Sequence, residues 1–188
     1  MTITVRERAD TIGTLRYASV FAMETLARWV PTTPDLEAKI LLGRHIWEFA
    51  QHADALGRRT HELRAAQHYT PAPLPAYSAA LELLRGADGA RERVEAFYDA
   101  FLPDLEQRYR GYLTATDPFL DEPSVRIIDR VLVDLSRMVA ESHETRAERR
   151  DMTGSGTATA ARLRRELAAA VQYVKHREPT GSVAESLA

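Results

Sequence analysis

The stretch that decides the architecture is Ala65–Ser78, AAQHYTPAPLPAYS, where three prolines fall within five residues at Pro71, Pro73 and Pro75. No helix runs through such a run, because proline lacks the backbone N–H and its ring collides with the preceding turn. On both sides the chain reads as helix. A first helix is predicted from about Asp10 to Val30, with Asp10 or Thr11 as its cap, and PTTP at residues 31–34 ends it. A second runs from Pro34–Asp35 to about Arg64. Beyond the prolines comes a short helical piece, AYSAALELLRG, closed by Gly86, Asp88 and Gly89. A third long helix covers roughly Ala90–Thr116. A fourth runs from about Glu122, with Pro123 in its first turn, to Asp151. TGSGT at residues 153–157 reads as a hinge, Thr157–His176 as a last helix, and residues 177–188 as a frayed tail after a single domain spanning 1–176. No convincing strand pattern occurs.

Short links make antiparallel neighbours, whereas the segment from Ala65 to Gly89 is long enough to travel the length of a bundle. The connectivity short, long, short is that of a four-helix bundle with one long crossover between helices two and three and an extra C-terminal helix.

Composition narrows the function. The 188 residues carry 25 basic and 27 acidic side chains, mixed along the chain, so there is no basic field for a nucleic-acid partner. There is no cysteine, which removes disulfides, thiolate metal sites and cysteine nucleophiles and suits a cytoplasmic setting. No apolar run reaches the roughly 18–20 residues of a membrane span, and MTITVRERAD lacks the apolar core of a signal peptide. Gly-rich phosphate loops, G-x-S-x-G and H-E-x-x-H are missing.

The residues that suggest chemistry lie in HIWEFAQHAD, residues 45–54. At 100° per residue, His45, Glu48 and His52 share a line with Leu41 and Leu56, flanked by Ala38, Phe49 and Ala55. A buried unpaired carboxylate is expensive, so Glu48 requires a cation, a metal or a hydrogen-bond donor. Two imidazoles and a carboxylate suit iron, manganese or zinc. A His-Glu-His line also satisfies itself through side-chain hydrogen bonds without metal.

The helix order and this partial motif resemble the ferritin-like superfamily over roughly residues 10–150. In its di-iron members helices one and three each give a Glu, and helices two and four each give Glu-x-x-His. Glu24, in VFAMETLARWV, resembles the helix-one carboxylate, and Glu48 the helix-two one. Gln51 stands where the motif has histidine, with His52 one step late and His45 three residues early. Helix three offers no carboxylate on its apolar stripe. Helix four offers Asp134 with Arg137 on the solvent side, and Glu141 and His143, two apart, point different ways. The resemblance implies an all-α ferritin-like fold and an iron-type, non-haem oxidoreductase acting on a small organic substrate, with manganese as the alternative metal. Glu24, Glu48 and one or both of His45 and His52 would hold the metal, and Tyr98 or Tyr109 would orient what binds there.

Two other readings stand beside it. One is a metal-free bundle that binds or scaffolds through a surface such as the strip carrying Ile40 and Trp47, which would meet the last helix or the second subunit of a homodimer. The other is a metal-independent enzyme with His45 or His52 as a general base beside Glu48. His61 and His68 are expected in solvent, and Tyr98, Tyr109 and Tyr112 largely in the core.

Overall fold

The computed structural model describes residues 3–147 and 156–177. Helix α1 is Val5–Trp29 and α2 is Leu36–Glu62, joined by a single 3-10 turn, Val30–Thr32. Helix α3 is Pro75–Arg85. One long rod then follows, made of α4 (Ala90–Val94), a π-helical stretch (Glu95–Phe101) and α5 (Leu102–Ala115). Helix α6 is Glu122–Ala147 and α7 is Ala158–Ala169. The all-α class holds, and no strand occurs among the described residues. None of their helices is long and apolar enough to cross a membrane. The predicted end of the fourth helix at Asp151, most of the hinge, and residues 178–188 of the tail lie outside the described residues.

Helix boundaries follow local chemistry. α1 begins earlier than the predicted Asp10, because Thr4 and Glu7 form a reciprocal capping box: the Glu7 N–H donates to Thr4 Oγ1 and the Thr4 N–H donates to the Glu7 carboxylate at 2.7 Å. Asp10 and Thr11 are therefore buried within the helix rather than at its end. Asp35 caps α2 by accepting from the Ala38 N–H at 2.7 Å. α7 stops at Ala169, short of the predicted His176. Arg108 donates to the Leu167 and Ala170 carbonyls at 3.1 and 3.2 Å, so a guanidinium takes the acceptors that a further turn would have used. The chain then runs irregularly back to α1, where the Arg177 N–H donates to the buried Asp10 at 2.9 Å.

The proline-rich segment packs tightly on the first helical pair at two glycines. A Cβ on Gly13 would lie 2.7 Å from Pro71 Cδ, and one on Gly57 would overlap the His68 ring. Both helices leave out the side chain where the crossing passes over them.

The buried apolar side chains of α1 to α7 form one cluster around Phe49, Phe97, Phe101, Leu105, Ile128 and Leu135. α1 packs along α2, α2 along α6, and α7 on the π stretch and α3. Pro103 accounts for the irregularity in the long rod. It has no N–H to return to Asp99, and its ring disfavours an ordinary α turn there. The Leu102 N–H donates five residues back to Phe97 O, the Asp99 carbonyl accepts from Arg164 Nε on α7 at 3.0 Å, and the rod is under-wound there, with one extra residue in the turn.

At the far end of the α2/α6 pair, Asp121 is wholly buried and accepts four hydrogen bonds: from Tyr112 (2.6 Å), Ser124 (2.7 Å), Thr116 (2.8 Å) and Arg59 (2.8 Å). Burial raises the pKa of such a carboxyl, but these donors together outweigh it and hold Asp121 below the usual carboxylate range. Asp121→Ala leaves the buried Arg59 short of its partner and should cost about 3–5 kcal/mol in urea unfolding at pH 7. The exposed Asp129→Ala should stay within about 0.5 kcal/mol of the parent.

Candidate functional site

The lock between α2 and α6 is a column of ionisable pairs. His45 Nε2 lies 3.2 Å from Glu141 Oε2, Arg137 Nη1 lies 2.7 Å from Glu48 Oε1, and His52 Nε2 lies 3.0 Å from Asp134 Oδ2. As the α2 number rises the α6 number falls, so the helices are antiparallel. His45 to His52 and Glu141 to Asp134 each span seven residues, which brings both ends into register. Arg137 is the hub: it also donates to Asp134 at 2.8 Å and to Glu141 at 3.4 Å. It is 43% exposed, yet its guanidinium turns back across the seam, whereas the sequence reading placed it toward solvent.

The two histidines differ in what they have left to offer. A carboxylate only accepts, so His45 Nε2 carries the proton given to Glu141, and Nδ1 accepts from the Tyr98 hydroxyl at 2.7 Å. Both ring nitrogens are committed. Burial lowers the His45 pKa to about 4 against the opposing pull of Glu141. At His52 the Nε2–H donates to Asp134, and Nδ1 is buried with no partner. Burial again lowers the pKa, more than Asp134 raises it, so the ring is neutral near pH 7 with one unshared lone pair. Glu48 has a second orphan, Oε2, and burial raises its carboxyl pKa in spite of Arg137.

His52, Glu48, Asp134 and Arg137 line a cleft of about 450 Å³ between α2 and α6. Trp47 stands at its edge, 67% exposed, and Arg58, Arg126 and Arg130 occupy the rim.

The structure brings together only part of the predicted site. His45, Glu48 and His52 share one seam. Glu24 does not join them: it is 59% exposed and faces Arg85 at 3.7 Å on another side of α1, with Phe21, Leu26 and Trp29 filling the inner face instead. Tyr98 meets His45, but Tyr109 is buried 3.2 Å from Ser19 Oγ between α5 and α1, away from the cleft. Among the described residues no group of three His, Asp or Glu side chains is arranged to hold a metal ion. The carboxylates that do meet the histidines, Asp134 and Glu141, went unassigned in sequence. Their signal was the matching seven-residue span on two helices that run opposite ways. His61 and His68 are exposed as expected, whereas the strip carrying Ile40 and Trp47, expected to meet the last helix or a second subunit, is exposed and covered by no described helix, α7 included.

Comparison with protein-family models, curated proteins and solved structures finds no match for this chain.

The buried, neutral His45 sets a pH dependence. Its folded pKa lies below the unfolded value near 6.5, so its stabilising contribution is fully present above pH 6.5 and is lost as pH falls toward 4. The loss should total on the order of 3 kcal/mol. Urea midpoints at pH 7.5, 5.5 and 4.5 should therefore fall more steeply for the parent than for His45→Gln, which has no titrating ring. Parallel curves would mean that His45 is charged in the folded protein.

Proposed function

We propose that this chain binds a small organic molecule in the α2/α6 cleft and that His52, oriented by Asp134, acts toward it as a metal-independent general base. The observation that carries this reading is the asymmetry of His52, with one nitrogen fixed by a carboxylate and the other lone pair buried and unspent. An imidazole whose orienting partner fixes its tautomer, and whose pKa lies below neutrality, keeps an unprotonated acceptor at physiological pH, which a ligand would uncover as it enters the cleft. The cleft volume falls within the range of about 300–1,000 Å³ usual for small ligands. The bundle itself, two antiparallel pairs joined by the long crossing, supports the resemblance to the ferritin-like superfamily as a scaffold.

A metal-dependent oxidoreductase is the second reading, favoured by one observation: His52 Nδ1 and Glu48 Oε2 are both unpartnered and lie one helical turn apart. They are two donors where a catalytic metal has three protein ligands, and neither Glu24 nor His45 is free to supply the third.

Ring-nitrogen NMR tests the first reading. His52 should show a protonated Nε2 and a bare Nδ1 at pH 7, charging only below pH 6.5, and Asp134→Asn should abolish that fixed tautomer. A His52 ring already protonated at pH 7, or carrying its proton on Nδ1, would sink the general-base role. Elemental analysis of protein purified without a histidine tag tests the second. Iron or manganese near one per chain, lost in Glu48→Ala, would replace the first reading with it.

A further inference from the structure

The cleft has two chemically opposite ends. Its floor is formed by His52 and Glu48, whose unpartnered atoms, Nδ1 and Oε2, are buried just beneath it, so a ligand meets them as those side chains turn toward the cleft. Its rim contributes cations. Arg130 is exposed and has no hydrogen-bond or ion-pair partner among the described residues. It lies close enough for its charge to lower the proton affinity of His52. Among the described residues Arg58 and Arg126 are held by Asp54 and Glu122 alone, each one turn back on its own helix. Such exposed pairs are weak and turn easily toward a better partner. Counting Arg137, four guanidinium groups line the cleft against two carboxylates, Glu48 and Asp134. The excess is positive.

The walls between the two ends are apolar. Ala55 on α2 is small, and it leaves the groove open over Ile127 and Val131 on α6, with Trp47 at one end. A purely apolar ligand would leave both the floor acceptors and Arg130 unanswered. A cation would meet the wrong rim, and a simple inorganic anion would leave the walls and floor unfilled.

We propose that the ligand is a small organic acid bearing a hydroxyl or amino group beside its carboxylate. Arg130, flanked by Arg58 and Arg126, holds the anionic head. Trp47 lines the apolar body, and the hydroxyl or amine donates to the acceptors of His52 and Glu48. This rests on the cleft being the ligand site, as argued above. It assigns Arg130 as the residue that selects for charge and explains why that side chain carries no internal partner.

Trp47 provides the readout, because the other tryptophan, Trp29, is only 2% exposed and lies in the core. Mandelate, phenyllactate and phenylalanine are titrated into the full chain, with phenylacetate, benzyl alcohol and phenethylamine as probes lacking the donor, the acid or the anionic charge. Trp47 emission is followed with Trp47→Phe as the blank, calorimetry gives the affinity, and the His52 ring nitrogens are recorded alongside. At least one hydroxy or amino acid should bind at least tenfold more tightly than benzyl alcohol and phenethylamine, and severalfold more tightly than phenylacetate. Arg130→Ala should weaken it about tenfold and reduce its salt dependence, while Arg165→Ala, on the exposed face of α7, should leave it unchanged. Neutral or cationic probes that bind as well as the acids, or an Arg130→Ala variant of unaltered affinity, would overturn the ligand class. If those probes still shift the His52 nitrogens, the general-base reading survives that failure. Acids that bind through Arg130 without moving the His52 nitrogens would keep the ligand class and defeat the base. If no probe reaches Trp47 at millimolar concentration, both fall.

Discussion

The structure depends on pairing three ionisable residues of α2 with partners on a helix that runs the opposite way. His45, Glu48 and His52 sit on the inner stripe of α2, where an unpaired charge or an unsatisfied polar atom is costly. The remedy is register. Glu141, Arg137 and Asp134 meet them in reverse order, and Arg137 ties the three pairs into a single network. A slide of one turn along this seam would set arginine against imidazole and carboxylate against carboxylate. The ion pairs thus contribute specificity of packing more than net stability, because burying charge consumes most of what the attraction returns.

The π stretch completes the network from a third direction. By under-winding the rod before Pro103, it presents Phe97 and Tyr98 side by side to α2, Phe97 edge-on to Phe49 and Trp29, and Tyr98 to His45. Tyr98 is fully buried and its phenol is pushed well above its ordinary pKa, so its O–H is a dependable donor. That donor is what uses up His45. The contrast between a saturated His45 and an open His52 thus traces to Pro103, through the turn it distorts.

The helices were legible because each is signalled by residues next to one another in sequence: prolines, caps and apolar repeats of three and four. Where the start of α1 differs from the prediction, a stronger local cap competes, Thr4 with Glu7 in place of Asp10. The site was legible only on α2. That His45, Glu48 and His52 share a stripe follows from a single helix, but their partners are fixed by how two helices align, which periodicity does not encode. Glu24 illustrates the same limit. Its helix position fits the resemblance to di-iron bundles, yet α1 turns that face toward Arg85 and buries Phe21, Leu26 and Trp29. Pro103, inside AFLPDLE, follows the π stretch, but a proline that goes with an under-wound turn and one that only kinks a helix look alike in sequence.

An unshared imidazole lone pair serves a metal and a proton equally well, so His52 alone does not choose between them. Its surroundings do. Arg137 lies 2.7 Å from Glu48 and 2.8 Å from Asp134, the two carboxylates that line the cleft, and Arg58, Arg126 and Arg130 add positive charge along it. A divalent ion entering there would have to displace Arg137 from Glu48 and work against the other three guanidinium groups in a half-enclosed site where charges are poorly screened. In the proposed acid–base reading a proton would pass from the bound acid's hydroxyl or ammonium to His52, and Asp134 would compensate the imidazolium that forms. Arg130 and Arg137 also lower the proton affinity of His52, so the transfer would depend on the acid's carboxylate neutralising them. The acid–base reading is proposed ahead of the metal one because only the metal must displace Arg137 from Glu48.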